Sequence, residues 1–379
     1  MSLVFGFRQL LRPAAAVKAS RFFRGTFLSQ VQLAQFHIPH DLSTGKHFLS
    51  TMRFVRYETS GRLGLGVELS ENGNVVDLTS YDPTVGTSMQ GFIEGGQESL
   101  LKAKKAIDSG KNILQRDQIK LLAPITDPGK ILCIGMNYRD HCEEQNLPVP
   151  QEPVVFSKFN SAIIGPTDSI KYPSETEELD WEVELVIVIG KEAKNVPVGH
   201  SCTVLIAENK DDLQKLLNIV EEESRKKGLE LNSKKTEVME KEAMNYVFGY
   251  TVAHDVSARV WQLHRNGGQF LIGKSMDCFC PLGPAIVAKE DLKDPHNLRL
   301  WTLVNGVTKQ EGNTNAMVFK TEAVIAFLTR FMTLKPGDII LTGTPPGVGV
   351  FKNPPEFLKR GDVVEVGVEG IGSIMNKIE

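Results

Sequence analysis

The sequence predicts an α+β protein with a small N-terminal α+β module and a larger unit built on buried strands. Three observations predict it. Short strand-like runs with a turn signal open the folded part. Three long apolar runs rich in β-branched residues follow: Lys130 to Gly135, Leu185 to Gly190 and Tyr246 to Ala253. Each is too short and too β-branched to read as a long helix, and each delivers polar residues at one end.

The chain of 379 residues is long enough for one large domain or two smaller ones. A net charge of -3 gives no electrostatic case for nucleic acid or a membrane surface. No apolar run reaches the roughly 18 residues a membrane span needs. The five cysteines are few and odd in number, which reads as free thiols in a reducing compartment. Cys278-Phe279-Cys280 lacks the two-residue gap of a zinc knuckle.

Residues 1–40 contain no acid, but do contain Arg8, Arg12, Lys18, Arg21 and Arg24. Leu3, Phe7, Leu10, Leu11 and Ala14 fall at helical spacing between them. A basic, acid-free, amphipathic start is the composition of a mitochondrial transit peptide over 1–51, against the plainer reading of a disordered tail. The module over 52–123 follows, with strands at Met52 to Tyr57, Leu63 to Leu69 and Val75 to Leu78, and Asn72-Gly73 as a hairpin turn. Ser99 to Ile107 reads as a short helix. No chemistry is visible in this module.

The Lys130 strand runs into Gly135-Met136-Asn137-Tyr138-Arg139-Asp140-His141. Asn137 is a candidate helix cap. His141 and Glu144, three apart, share a helical face, so the carboxylate can orient the imidazole and raise its basicity. Such a spacing alone is as compatible with a surface ion pair. Pro148-Val149-Pro150 stops the helix.

Asp180-Trp181-Glu182-Val183-Glu184 opens the second strand. Glu182 and Glu184 lie two apart, on one face. Side by side at the mouth of a buried strand they repel each other, and a divalent cation removes the conflict. An exposed strand end with two solvated acids is the bland alternative, but the run beyond is too apolar for an exposed edge. Asp255, at the end of the third strand, is the candidate third oxygen ligand. Two Glu and one Asp suit Mg²⁺, with its near-octahedral demand at about 2.1 Å, and soft ligands are absent.

These segments, with Asp255-Val256-Ser257-Ala258-Arg259, Leu271-Ile272-Gly273-Lys274-Ser275 and Gly337 to Pro345, resemble the fumarylacetoacetate hydrolase family from about Met52 to Glu379. The resemblance implies a mixed β-roll core, a homodimer, a small 2-oxo acid substrate and an Mg²⁺ site, with Ca²⁺ or Mn²⁺ as alternatives. It implies Glu182, Glu184 and Asp255 as metal ligands and His141, Glu144 and Lys274 as catalytic residues. Arg259 and Thr344 are implied to bind substrate. The branch it points to gives a mitochondrial oxaloacetate tautomerase. An acylpyruvate hydrolase or oxaloacetate decarboxylase uses the same parts, and an inactive protein that keeps the fold is a further alternative. One departure is Val260, where the family usually has an Asp after the Arg.

The catalytic region, 124–379, is interrupted. Relatives run directly from about Pro197 to Glu240, and 198–239 intervene here. This insert resembles the palm of a non-LTR retrotransposon reverse transcriptase: a strand at Thr203 to Glu208, then an amphipathic helix over Asp211 to Lys227. Ser201 and Cys202 stand where that family carries its catalytic Asp pair, so no polymerase is expected. Gly268 to Ser275 satisfies the Walker A pattern. Phe270-Leu271-Ile272 reads as strand, however, and not as a loop exposing backbone N–H groups to phosphate.

Overall fold

The computed structural model describes residues 51–197 and 242–379. The transit peptide and the insert expected from the sequence lie outside the described residues, apart from Thr51.

The strand predicted around Glu184 forms over Val183–Ile189, and every one of its residues is buried. A strand covered on both faces has no polar face to present, which is why its sequence is a continuous apolar run. It pairs antiparallel with Val247–His254 on one side and with Ile339–Leu341 on the other. From there the sheet extends in both directions. Ile339–Leu341 pairs parallel with Ile131–Gly135, which pairs antiparallel with the edge strand Val154–Ser157. On the other side Val247–His254 pairs with Cys280–Ala288, and that strand with Arg53–Thr59. The twelve-stranded sheet is therefore mixed. A four-stranded antiparallel sheet, in the order Val307–Asn313, Arg299–Val304, Val363–Val368 and Gly372–Lys377, packs with it. This is the α+β class expected.

The segment over 52–123 joins the same sheet and core. Phe54 pairs with Ile286, and Phe54, Leu65, Val67, Val76 and Phe92 belong to the same core cluster as Val186 and Val252. Arg53 fixes the join. Its guanidinium bonds Glu68 at 2.8 Å and donates to the carbonyls of Gly370 and Ile371. The helix expected at Ser99 to Ile107 runs over Gly96–Ser109 and stops at Gly110, whose φ of 62° is the left-handed geometry that glycine adopts without strain.

Two local expectations are corrected. Asn137 does not cap the helix Arg139–Glu144; Tyr138 holds that position without a side-chain bond. The Asn137 amide instead donates to the carbonyls of Phe319 and Thr342 and accepts from the Phe319 N–H, so it links three separate segments. Leu271–Lys274 is a helical turn and not a strand. Its close approach to the preceding segment explains Gly273: a Cβ there would lie 2.7 Å from the Gln262 nitrogen and 2.9 Å from the Ala258 oxygen.

Candidate active site

The eight site residues expected from the sequence come together at one end of the central strands. Pairing places Val183 opposite His254 and Glu184 opposite Ala253. The N–H of Asp255 then donates to the Glu182 carbonyl at 2.9 Å. The start of one strand and the end of its neighbour are thus a single location. Glu182, Glu184 and Asp255 each present a carboxylate oxygen within 4.8 Å of the others, and all three are buried.

Three cations enter this cluster. Lys274 Nζ lies 2.8 Å from Glu182 and 2.9 Å from Asp255. Lys158, fully buried, pairs with the other Asp255 oxygen. Arg259 bonds Asp180 through Nε and Glu182 through Nη1, both at 2.7 Å. Gln262 accepts a further bond from Arg259 Nη1 at 2.7 Å. Arg259 is therefore held from several directions with no help from position 260, so Val260 does not leave it loose. Asp180 also accepts the N–H groups of Trp181, Gly349 and Val350, which fixes it as the anchor beneath Arg259. Arg259 Nη2 is buried and has no partner among the described residues.

The charges settle unequally. Burial alone would raise the Glu182 carboxyl, but Lys274 and Arg259 bring it down to about 2. Glu184 goes the other way. Burial pushes its carboxyl well above the usual range, and Asp255 and Glu182 push it further. Among the described residues its side chain takes one hydrogen bond, from the Gly343 N–H at 2.6 Å. Gly343 has a φ of 99°, and a Cβ there would lie 2.9 Å from the Ile134 carbonyl, so glycine is required for this donor to reach the carboxylate. Among the described residues, four carboxylates (Asp180, Glu182, Glu184, Asp255) meet three cations (Lys158, Lys274, Arg259), and Glu184 is in no ion pair with any of them. An all-oxygen cluster with an uncompensated, buried acid fits a hard divalent cation.

The helix Arg139–Glu144 brings the second group. Glu144 Oε2 lies 2.7 Å from His141 Nδ1, and its other oxygen accepts the Gly347 N–H at 2.9 Å. His141 is buried beside Phe351. One cavity is lined by His141, Glu182, Glu184, Arg259, Lys274 and Thr344. All eight site residues expected from the sequence are therefore placed: six line the cavity, Glu144 holds His141, and Asp255 stands behind Lys274. Sequence reasoning missed Lys158, Asp180, Gln262 and Gln310. Gln310 is buried, donates to Thr344 Oγ1 at 2.8 Å and accepts the Val183 N–H at 3.0 Å. Lys158, directly after an apolar strand, carried the one available signal, because a buried lysine needs an acid.

Comparison with known proteins agrees with this geometry. The chain is 48% identical over 330 residues to the protein named oxaloacetate tautomerase fahd2, mitochondrial, of Xenopus laevis, covering 86% of this chain and 90% of the relative. It is 46% identical over 329 residues to oxaloacetate tautomerase FAHD2A, mitochondrial, of Homo sapiens, covering 86% and 91%. The solved fumarylacetoacetate hydrolase from psychrophilic Exiguobacterium antarcticum superposes with a TM-score of 0.67 at 33% identity, over 87% of this chain and 99% of that one. The profile of the fumarylacetoacetate (FAA) hydrolase C-terminal family matches 130–204 and 228–379, breaking within the insert read from the sequence. The chain belongs to the fumarylacetoacetate hydrolase family.

Proposed function

We propose that this chain is a mitochondrial, Mg²⁺-dependent oxaloacetate tautomerase that converts enol-oxaloacetate to its keto form and works as a homodimer. The observation that carries the reading is one cavity lined by an oriented imidazole and by Glu182 and Glu184, two members of a buried cluster of three carboxylates. The names of the two curated relatives narrow the substrate to oxaloacetate and the compartment to mitochondria.

Glu182, Glu184 and Asp255 are the residues that would hold the ion. When bound, Mg²⁺ supplies fixed positive charge for an oxygen that becomes enolate-like. Lys274 and Arg259 line the same cavity, and their positive charge favours the same oxygen and the substrate carboxylates. Thr344 adds a hydroxyl. Glu144 is a carboxylate acceptor, so His141 Nδ1 carries the proton between them and Nε2 is left to work on substrate. An imidazole that takes the enol proton and returns it at the adjacent carbon completes an isomerisation with no net gain or loss of protons.

The test is a substrate panel on the purified chain with Mg²⁺. Decay of the enol absorbance is followed beside C–C cleavage and decarboxylation products. Accelerated enol decay without cleavage is expected. Cleavage of acylpyruvates, with enol decay at the uncatalysed rate, would replace this reading with the hydrolase one. Light scattering checks the homodimer.

A further inference from the structure

Gln310 sits in the four-stranded sheet, on Val307–Asn313, and is 1% exposed. Its side-chain amide makes four hydrogen bonds. Oε1 accepts the Val183 N–H at 3.0 Å and the Thr302 hydroxyl at 2.7 Å. Nε2 donates to Thr344 Oγ1 and to the Pro345 carbonyl, each at 2.8 Å. The partners fix which end of the amide is which. A backbone N–H can only donate, so the atom facing Val183 is the oxygen. A carbonyl can only accept, so the atom facing Pro345 is the nitrogen.

A consequence follows for Thr344. An amide NH₂ has no acceptor capacity, so the Thr344 hydroxyl must accept from Gln310. Its own proton is then turned elsewhere. Among the described residues Thr344 Oγ1 donates to none, and Thr344 lines the cavity that holds His141 and Lys274. The chain of polarity runs one way, from the Thr302 hydroxyl through the Gln310 amide to the Thr344 hydroxyl and into the cavity. Each bond strengthens the next.

We propose that Gln310 is a positioning residue that makes Thr344 an obligatory hydrogen-bond donor to an anionic oxygen of the substrate. Through the Val183 N–H, which lies between Glu182 and Glu184, the same amide ties that donor to the carboxylate strand. The inference rests on the reading above that the cavity takes a 2-oxo acid.

The experiment uses the full chain with Mg²⁺ and oxalate, a planar dianion that matches the carboxylate and 2-oxygen of an enolate. Oxalate affinity is measured by calorimetry, without turnover. Thr344→Val keeps the shape and removes the hydroxyl. Gln310→Glu keeps the shape and leaves at most one proton where the amide had two; the Pro345 carbonyl, which can only accept, takes it, and Thr344 then spends its own proton on residue 310. Each single variant is expected to weaken oxalate about tenfold or more, the scale of a hydrogen bond to a charged group. The double variant Thr344→Val with Gln310→Glu is expected to be no weaker than Thr344→Val, because Glu keeps the oxygen that accepts the Val183 N–H and residue 310 then acts on substrate only through the hydroxyl. Gln310→Met removes the donors to Thr344 and Pro345 and also the acceptor of the Val183 N–H, so if the Glu variant does not fold it is read against its own Mg²⁺ affinity measured without oxalate. Losses that multiply in the double variant, or Gln310 variants that bind oxalate as wild type does, overturn the inference while leaving the substrate reading in place. Wild-type protein that binds no oxalate overturns the substrate reading, and this inference with it.

Discussion

The site has two halves built on different supports. The carboxylate half stands on strand ends inside a continuous sheet, and the side chains of Asp255, Lys158 and Lys274 are at most 1% exposed. The imidazole half stands on a six-residue helix with no side-chain cap, and the Glu144 side chain is 20% exposed. A helix that short has no intrinsic stability and is held by what it packs on, here Cys142 in the core and the Glu144 bond to Gly347. The difference assigns labour. Fixed charge belongs where nothing yields, because a preorganised field costs no rearrangement during reaction. The imidazole proposed to move a proton stands on the support with fewer contacts of its own.

The largest effect should come from breaking the rigid half. Asp255→Asn strips both Lys158 and Lys274 of a buried partner. Losing one partner of a buried pair costs about 3–5 kcal/mol. A large drop in unfolding midpoint together with loss of Mg²⁺ binding by titration calorimetry is expected. Glu182→Gln should act in the same direction, exposing the charges of Lys274 and Arg259. Either variant with wild-type Mg²⁺ affinity would sink the ligand assignment.

His141→Ala should leave that half untouched. Turnover is expected to fall by about 10²–10⁴, the usual worth of general acid–base catalysis, with Mg²⁺ affinity unchanged. Glu144→Gln should fall less far, since it removes the orienting charge and leaves the ring. Unchanged kinetics in His141→Ala would reduce the pair to a structural contact and erase the division between the two halves.

The same division explains what the sequence made legible. The Glu182–Glu184 pair and the His141–Glu144 pair are local, two and three residues apart, and strand and helix periods put each on one face. Asp255 was readable because it ends an apolar run. Lys158 meets Asp255 across 97 positions, Gln310 meets Val183 across 127, and Asp180 meets Gly349 across 169. No period links such distances, so these partners appear only once the sheets have formed. Leu271–Lys274 misled for a related reason. Its residues favour a strand by propensity, but packing of Gly273 against Gln262 and Ala258 decides for a helical turn.

The smallest effect concerns the insert over 198–239, and the sheet register says why. It interrupts the connection between the strand that begins beside Glu182 and the strand that ends beside Asp255. Those strands are antiparallel, and their other ends meet where Ile189 pairs with Val247. Six steps of about 3.4 Å from Val183 to Ile189 put that junction about 20 Å from the strand start beside Glu182. Both flanks are fastened independently. Asn195 and Val196 donate to the carbonyl and hydroxyl of Thr329, and Gly190 donates to the Tyr246 carbonyl at 2.7 Å. A chain added there enters and leaves without moving Glu184 or Asp255. Removing it shortens the connection roughly fourfold, which favours closure by about 1.2 kcal/mol. It also removes Leu213, Leu216, Leu217 and Val220, an apolar set that belongs, by resemblance, to a polymerase palm. Joining Pro197 to Glu240 is therefore expected to preserve Mg²⁺ affinity and turnover, and to raise the melting temperature or the soluble yield. A deletion variant that folds but no longer binds Mg²⁺ would show that the far end of these strands communicates with the site, and that the connection has become part of it.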